Sequence, residues 1–214
     1  MRKQPRQQRS RDMVATLLAA AEQVIVERGL DGTSTNHIAE AAGVSVGSLY
    51  QYFDDKDAVI EALLEQFAQR MLNAVDARLP SLLDSDPRTA TRGILEAVLD
   101  VAEQNACQRE LSRHLDQLRT RKAFRRLEQH MSEACRLYVL HHPLEVRTDN
   151  LPATLFVTIT AMNHTISRWL GMSRPPVSRA DLIAALSDMV AAIIQPQSAV
   201  SRVRSRARNT RTPV

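Results

Sequence analysis

Between positions 34 and 56 the chain gathers hydrogen-bonding side chains of one kind: Ser34, Thr35, Asn36, Ser45, Ser48, Tyr50, Gln51, Tyr52 and Lys56. Hydroxyls, amides and an ammonium group suit phosphate oxygens and base edges. Gly47 stands among them and removes a side chain where a helix start must lie close to something large, such as a DNA groove. The aromatics point to the same place. Only 4% of the chain is aromatic, yet three of its seven Phe and Tyr residues fall within positions 50–53. The chemistry these types offer is recognition, not bond making.

Other constellations are weaker. No Walker-type phosphate loop, G-x-G-x-x-G, H-E-x-x-H or G-x-S-x-G run occurs, and no spacing pairs the Asp, Glu and His residues as an acid–base set. The chain does not read as an enzyme, and no cofactor is expected. Cys107, His114, His130, Cys135, His141 and His142 are the raw material for a metal or thiol sensor, but the cysteines lie 28 residues apart and form no C-x-x-C. Two isolated thiols and solvated histidines are the simpler reading, with no metal site assigned.

The elements that must position the recognition residues are helices. Val14, Leu17, Leu18, Ala21, Val24 and Ile25 recur at helical spacing, which predicts a helix over about 11–28 with Ser10 as N-cap and Gly29 as stop. Ser34 caps a short helix over about 35–42, Gly43 ends it, and a third covers about 45–52. This is the spacing of a helix-turn-helix. Ala39 falls where the two short helices approach, and Ile38, Val44 and Leu49 plug the angle between them. A purely structural hairpin has the same needs; the exposed donors distinguish the two. Asp54 or Asp55 then caps a long helix over about 56–79, ended by Pro80. Further helices are expected over about 87–105, 108–118, 121–141, 151–170 and 178–195, opened by Asp86-Pro87, Asn150 and Ser178. The fold class is all-α, with about nine helices.

Composition agrees. Hydrophobic residues make up 44% of 214, enough for a packed core. No apolar run is long enough for a membrane span, and the basic N-terminus lacks the apolar segment of a secretion signal, so a cytoplasmic location is expected. The formal charge of +4 conceals an asymmetry: ten Lys and Arg residues sit within 1–11 and 197–214 with no acid among them, which leaves −6 on the rest. Polyanion contact is therefore expected to be local. The domain reading is a basic arm at 1–10, a helix-turn-helix domain at 11–55, a helical body at 56–196 and a basic tail without core-forming residues at 197–214.

Three runs in register carry a resemblance: T-x-x-I-A-x-x-A-G-V-S from Thr35 to Ser45, G-S-L-Y-x-Y-F from Gly47 to Phe53, and D-K-D from Asp55 to Asp57. With the preceding helix they resemble the DNA-binding domain of the TetR family of bacterial transcriptional regulators, over roughly a quarter of the chain. The resemblance implies that Ser34 and Thr35 meet the DNA backbone and that the helix from Val46 to Tyr52 enters the major groove. It brings Gly47 and Ser48 near base edges and gives Tyr50, Tyr52 and Lys56 to phosphates, with Phe53 in the core. Departures from the family pattern fall at Asn36, where a basic residue is frequent, at Val46, where Lys or a polar residue is common, and at Gln51, which replaces a frequent His. Asn and Gln both suit adenine, so specificity is assigned to Asn36, Ser48 and Gln51; Val46 meets a thymine methyl or nothing. The basic arm is expected to add charge along the DNA.

The resemblance also implies that the body is a ligand-binding and dimerisation domain. The expected function is a repressor that binds a palindromic operator as a homodimer and is released by a small hydrophobic or amphipathic inducer. A metal- or thiol-responsive regulator of the same fold, or a ligand-independent DNA-binding dimer, is the alternative. The dimer seam is expected on the last two helices, through Leu155, Ile159, Met162 and Ile166 and through Leu182, Leu186, Met189, Val190 and Ile193. Candidate ligand contacts are Phe67, Met71, His114, Tyr138, Met162, Asn163, His164 and Trp169.

Overall fold

A computed structural model of the chain describes residues 4–114, 122–142 and 150–194, with side chains described from residue 7 and, in the second stretch, from residue 125. Among them are nine helices and no strand: α1 (Gln4–Arg28), α2 (Thr35–Ala41), α3 (Val46–Tyr50), α4 (Lys56–Leu82), α5 (Pro87–Gln104), α6 (Ala106–Arg113), α7 (Lys122–His141), α8 (Leu151–Gly171) and α9 (Arg179–Ile194). The basic tail at 197–214 lies outside the described residues.

Helix starts follow local chemistry. Ser34, Ser45, Asp55, Asp86 and Asn150 each accept a hydrogen bond from a backbone N–H of the following first turn. At α9, Ser178 Oγ accepts from Asp181 N and donates to Asp181 Oδ2. Several boundaries differ from expectation. Ser10 is not a cap: α1 begins at Gln4, because the Gln- and Arg-rich stretch that follows has nothing to break a helix, Pro5 suits a first turn, and Gln8 donates to Asp12 one turn on at 2.8 Å. Residues 4–10 of the expected arm are thus helix. Pro80 does not end α4, which runs to Leu82; so near a C-terminus a proline forfeits one ladder bond without ending the helix. The α6 segment also starts earlier than expected, because Asn105 Oδ1 accepts from Gln108 N at 2.8 Å.

The buried side chains form two main cores. The N-terminal core joins Leu17, Ala21 and Ile25 of α1, Ile38 and Ala39 of α2, Leu49 of α3 and Phe53 to Val59–Ala68 of α4. It is completed by Cys107 and Leu111 of α6. The body core joins Met71 of α4, Leu95 and Leu99 of α5, Ile166 and Leu170 of α8, and Leu182, Ile183 and Leu186 of α9. The α4 helix crosses both. At 1.5 Å per residue its 27 residues extend about 40 Å, so one rigid element reaches from the recognition unit into the body.

The expected dimer stripe turns inward. Leu155, Ile159 and Ile166 of α8 and Leu182, Leu186 and Val190 of α9 are buried within this one chain. Their spacing marked an apolar stripe correctly, but the stripe packs on α5, α6 and α7. Of the expected seam residues Ile193 stays exposed, at 38%, and Phe156 at 69% and Val157 at 61% are the other large apolar groups exposed on α8 and α9. Gly171, expected to stop α8, has another task. A Cβ there would stand 2.8 Å from the Ser112 carbonyl, so glycine permits α8 to lie against the end of α6.

Candidate nucleic-acid interface and cavity

The turn between α2 and α3 is built by the backbone. Gly43 adopts φ +68°, a left-handed conformation that side chains resist, and its N–H donates to Glu40 O at 3.0 Å. Val44 N then donates to Ala39 O at 3.0 Å, which closes the helix end and drops Val44 onto the core. Ser45 caps α3, accepting from Ser48 N at 3.1 Å, and its hydroxyl lies 2.9 Å from that of Ser48. Ala39 is almost fully buried where α2 meets its neighbours.

Most of the expected recognition residues share one exposed surface. Asn36, Ser45, Gly47, Tyr50 and Gln51 are exposed, and Ser34, Thr35 and Ser48 are half-buried beside them. Tyr50 Oη lies 3.2 Å from Thr35 Oγ1, which ties the recognition helix to the start of α2. Gly47 is free on its outer side: a Cβ there would meet only Ser45 Oγ, at 3.8 Å. The fold itself therefore does not require a glycine at this position. Lys56 Nζ donates to Leu30 O at 3.2 Å, pinning the start of α4 to the turn after α1 and leaving two of its three donors uncommitted by that bond. Val46 and Tyr52 have a structural part as well. Both are half-buried and pack against the N-terminal core, so each also helps to hold α3 in place.

In the body, α4, α5, α7, α8 and α9 enclose an apolar cavity of about 120 Å³, lined on its α4 side by Val75, Leu79 and Leu82. A second chamber of about 70 Å³ lies toward α6 and shares Val98, Leu127, Asn163 and Ile166 with the first. Five of the eight candidate ligand residues line this space: Tyr138 and Met162 the larger chamber, Phe67 and Met71 the smaller, Asn163 both. Three do not. His114 caps the end of α6 beside Glu110, at 3.4 Å; His164 is exposed; and Trp169 Nε1 donates to Val177 O at 3.0 Å, fixing the link between α8 and α9. A helical stripe does not reveal which way a polar residue at its edge will turn. Sequence reasoning missed Gln108, Thr158 and Cys135, which also line the space. Tyr138 Oη donates to Ser85 O at 2.6 Å.

The two thiols are far apart in role. Cys107 belongs to the N-terminal core and its pKa is pushed up to about 12, first by burial and then by the nearby Glu22 carboxylate. Cys135 stands on the cavity wall, pushed up to about 11 by burial. No group of three His, Cys, Asp or Glu residues able to hold a metal ion occurs among the described residues. His130 and His141 instead face Asp76 and Asp84 at 2.7 and 2.9 Å, and His142 the Leu83 carbonyl at 2.6 Å, so α7 is latched to the far end of α4. No helix among the described residues is long and apolar enough to cross a membrane.

Known proteins resemble the chain in two ways. Residues 17–63 match the family model of bacterial regulatory proteins of the tetR family. A stretch of 79 residues is 32% identical to the nucleoid occlusion factor SlmA of Glaesserella parasuis serovar 5, covering 37% of this chain and 38% of that protein. A stretch of 98 residues is 33% identical to the HTH-type transcriptional regulator BetI of Pectobacterium carotovorum, covering 46% and 48%. The chain thus spans less than half the length of the curated relatives it matches. The fold extends further: the crystal structure of a TetR-family transcriptional regulator from Mesorhizobium loti superimposes with a TM-score of 0.65 at 16% identity, covering 88% of this chain and 99% of that one.

Proposed function

We propose that the chain, whose residues 17–63 match the tetR family model and whose fold superimposes on that of a TetR-family regulator, is a cytoplasmic transcriptional repressor of that family. It binds a two-fold symmetric DNA operator as a homodimer and is released when an apolar or amphipathic small molecule fills the body cavity. The observation that carries this reading is α4. One unbroken helix presents Lys56 beside the exposed recognition surface and Val75, Leu79 and Leu82 in the cavity wall. A ligand that binds the non-DNA state better shifts α4, and about 1–3 kcal/mol of reciprocal coupling suffices for such control. Ser34, Thr35, Tyr50, Tyr52 and Lys56 contact phosphates, while Asn36, Ser48 and Gln51 read bases through a groove that Gly47 allows α3 to enter.

A dimer is needed because α3 has only five residues and reads few base pairs alone. The exposed Phe156, Val157 and Ile193 on α8 and α9 supply the apolar surface for it. The test is selection of duplexes from a randomised library by the full chain, followed by anisotropy titration and sedimentation of the complex. Two half-sites about one helical turn apart, bound by two chains, are expected. Selected sites without two-fold symmetry, or bound no more than about tenfold tighter than random DNA, would overturn the reading.

A further inference from the structure

Two amides, the buried Gln108 and the half-buried Asn163, face the cavity with hydrogen-bonding capacity unspent. Gln108 of α6 is only 5% exposed, yet its Oε1 has no partner, and its Nε2 faces nothing better than the Met71 sulfur at 4.0 Å. Asn163 of α8 buries an Nδ2 that is likewise without a partner. Both line the smaller chamber, and Asn163 lines the larger one as well. Leaving such groups unpaired is costly when a Leu of similar size would fill either place.

We infer, resting on the cavity's assignment as the effector site, that the ligand is an uncharged molecule with an apolar body and one polar end carrying both a hydrogen-bond donor and an acceptor. The donor meets Gln108 Oε1 and the acceptor meets Asn163 Nδ2. The apolar body occupies the larger chamber between α4, α5 and α7. Charge is excluded by the walls: no Asp, Glu, Lys, Arg or His lines either chamber among the described residues. A carboxylate or an ammonium group entering here would lose its hydration and find no counter-charge. The Cys135 thiol supplies none either, since burial keeps it protonated at neutral pH. A primary or secondary amide, or a group of equivalent donor–acceptor pattern, fits.

The polar end also lies where it acts. Gln108 is the neighbour of Cys107 on α6, and Cys107 and Leu111 are built into the N-terminal core. Satisfying Gln108 thus bears on a helix that, like α4, faces both the cavity and the N-terminal core.

The experiment uses the full chain and a fluorescent apolar reporter, 1-aminoanthracene, displaced by probes built on one straight eight-carbon chain. These are octanamide, N,N-dimethyloctanamide, octanoate and octylammonium. Octanamide is expected to displace the reporter at a concentration at least about tenfold lower than octanoate or octylammonium, and several-fold lower than N,N-dimethyloctanamide, which has no donor for Gln108. Gln108→Leu is expected to keep reporter binding, which shows the cavity intact, and to erase the difference between the two amides. Asn163→Leu is expected to weaken both amides alike. Equal displacement by octanoate, or an amide difference that survives in Gln108→Leu, overturns the inference while leaving a ligand cavity in place. Failure of the unsubstituted chain to take up any reporter overturns the effector-site reading itself, and this inference with it.

Discussion

Replacing Gly47 by alanine separates what the fold needs from what DNA needs. The added methyl would meet only Ser45 Oγ, at 3.8 Å, an ordinary contact distance. Gly47 lies in the first turn of α3 and is not among the residues with positive φ, so alanine fits its backbone. Removing a glycine from a helix reduces the freedom of the unfolded chain and stabilises by about 0.5–1 kcal/mol. For a chain of this length that raises Tm by roughly 1–4 °C. Against DNA the sign reverses. A methyl forced into a close-packed contact costs about 1–3 kcal/mol, equivalent to roughly 5- to 150-fold in Kd. The measurements are thermal unfolding by circular dichroism and anisotropy titration on a selected operator at fixed salt. A rise in Tm with Kd unchanged within twofold would show that the start of α3 does not approach the groove. A fall in Tm would refute the reading of free space around Gly47.

Other perturbations test the packing and the titrating groups. Leu111→Ala, at a fully buried position of α6, should cost about 2–5 kcal/mol in urea unfolding and weaken operator binding although it lies far from the DNA; a cost below about 1 kcal/mol would deny α6 its place in the N-terminal core. Asp86 has its pKa lowered by the Thr89 hydroxyl, at 2.6 Å, and by the backbone N–H groups of Thr89 and Arg88. Its folded pKa therefore lies below the unfolded one: its contribution is full above the unfolded value and disappears as pH falls through the folded value. Asp86→Ala should cost about 0.5–1 kcal/mol at pH 7, since this cap is exposed, and progressively less in acid; a cost independent of pH would contradict the assignment. With Cys107 and Cys135 pushed up to about 12 and about 11, neither thiol should react rapidly with Ellman's reagent at pH 8 until the protein is denatured, and one fast-reacting thiol in the native protein would refute the burial argument.

What could be read from the sequence was whatever is settled within a few residues. The caps at Ser34, Ser45, Asp55, Asp86, Asn150 and Ser178 depend on one side chain and the N–H groups just beyond it, and Gly43 announces its turn by lacking a Cβ. Ser10 misled because a good capping residue does not end a helix whose upstream residues also favour it. Partner choice is different. Leu155, Ile159, Leu182 and Leu186 have the same periodicity whether they meet a second chain or helices of their own, and only the packed structure distinguishes the two. The cavity left less trace still. A leucine that lines a void and one that fills it look alike, so Tyr138, Met162 and Asn163 were found by their polarity or shape, while Gln108 fell at the expected start of a helix that in fact begins earlier.

The presence of Cys107 and Leu111 in the N-terminal core has a practical bearing on hybrid regulators. Joining residues 1–55 to a foreign body would leave that core short of the α4 residues from Val59 to Ala68 and of the two side chains that close it from α6. The inherited reading head would lack its floor, and grafted operator specificity would fail through unfolding, not through lost base contacts. A seam that preserves the head has to carry the first half of α4 and residues 105–111 along with it, although more than forty residues of sequence separate position 55 from the second of these segments.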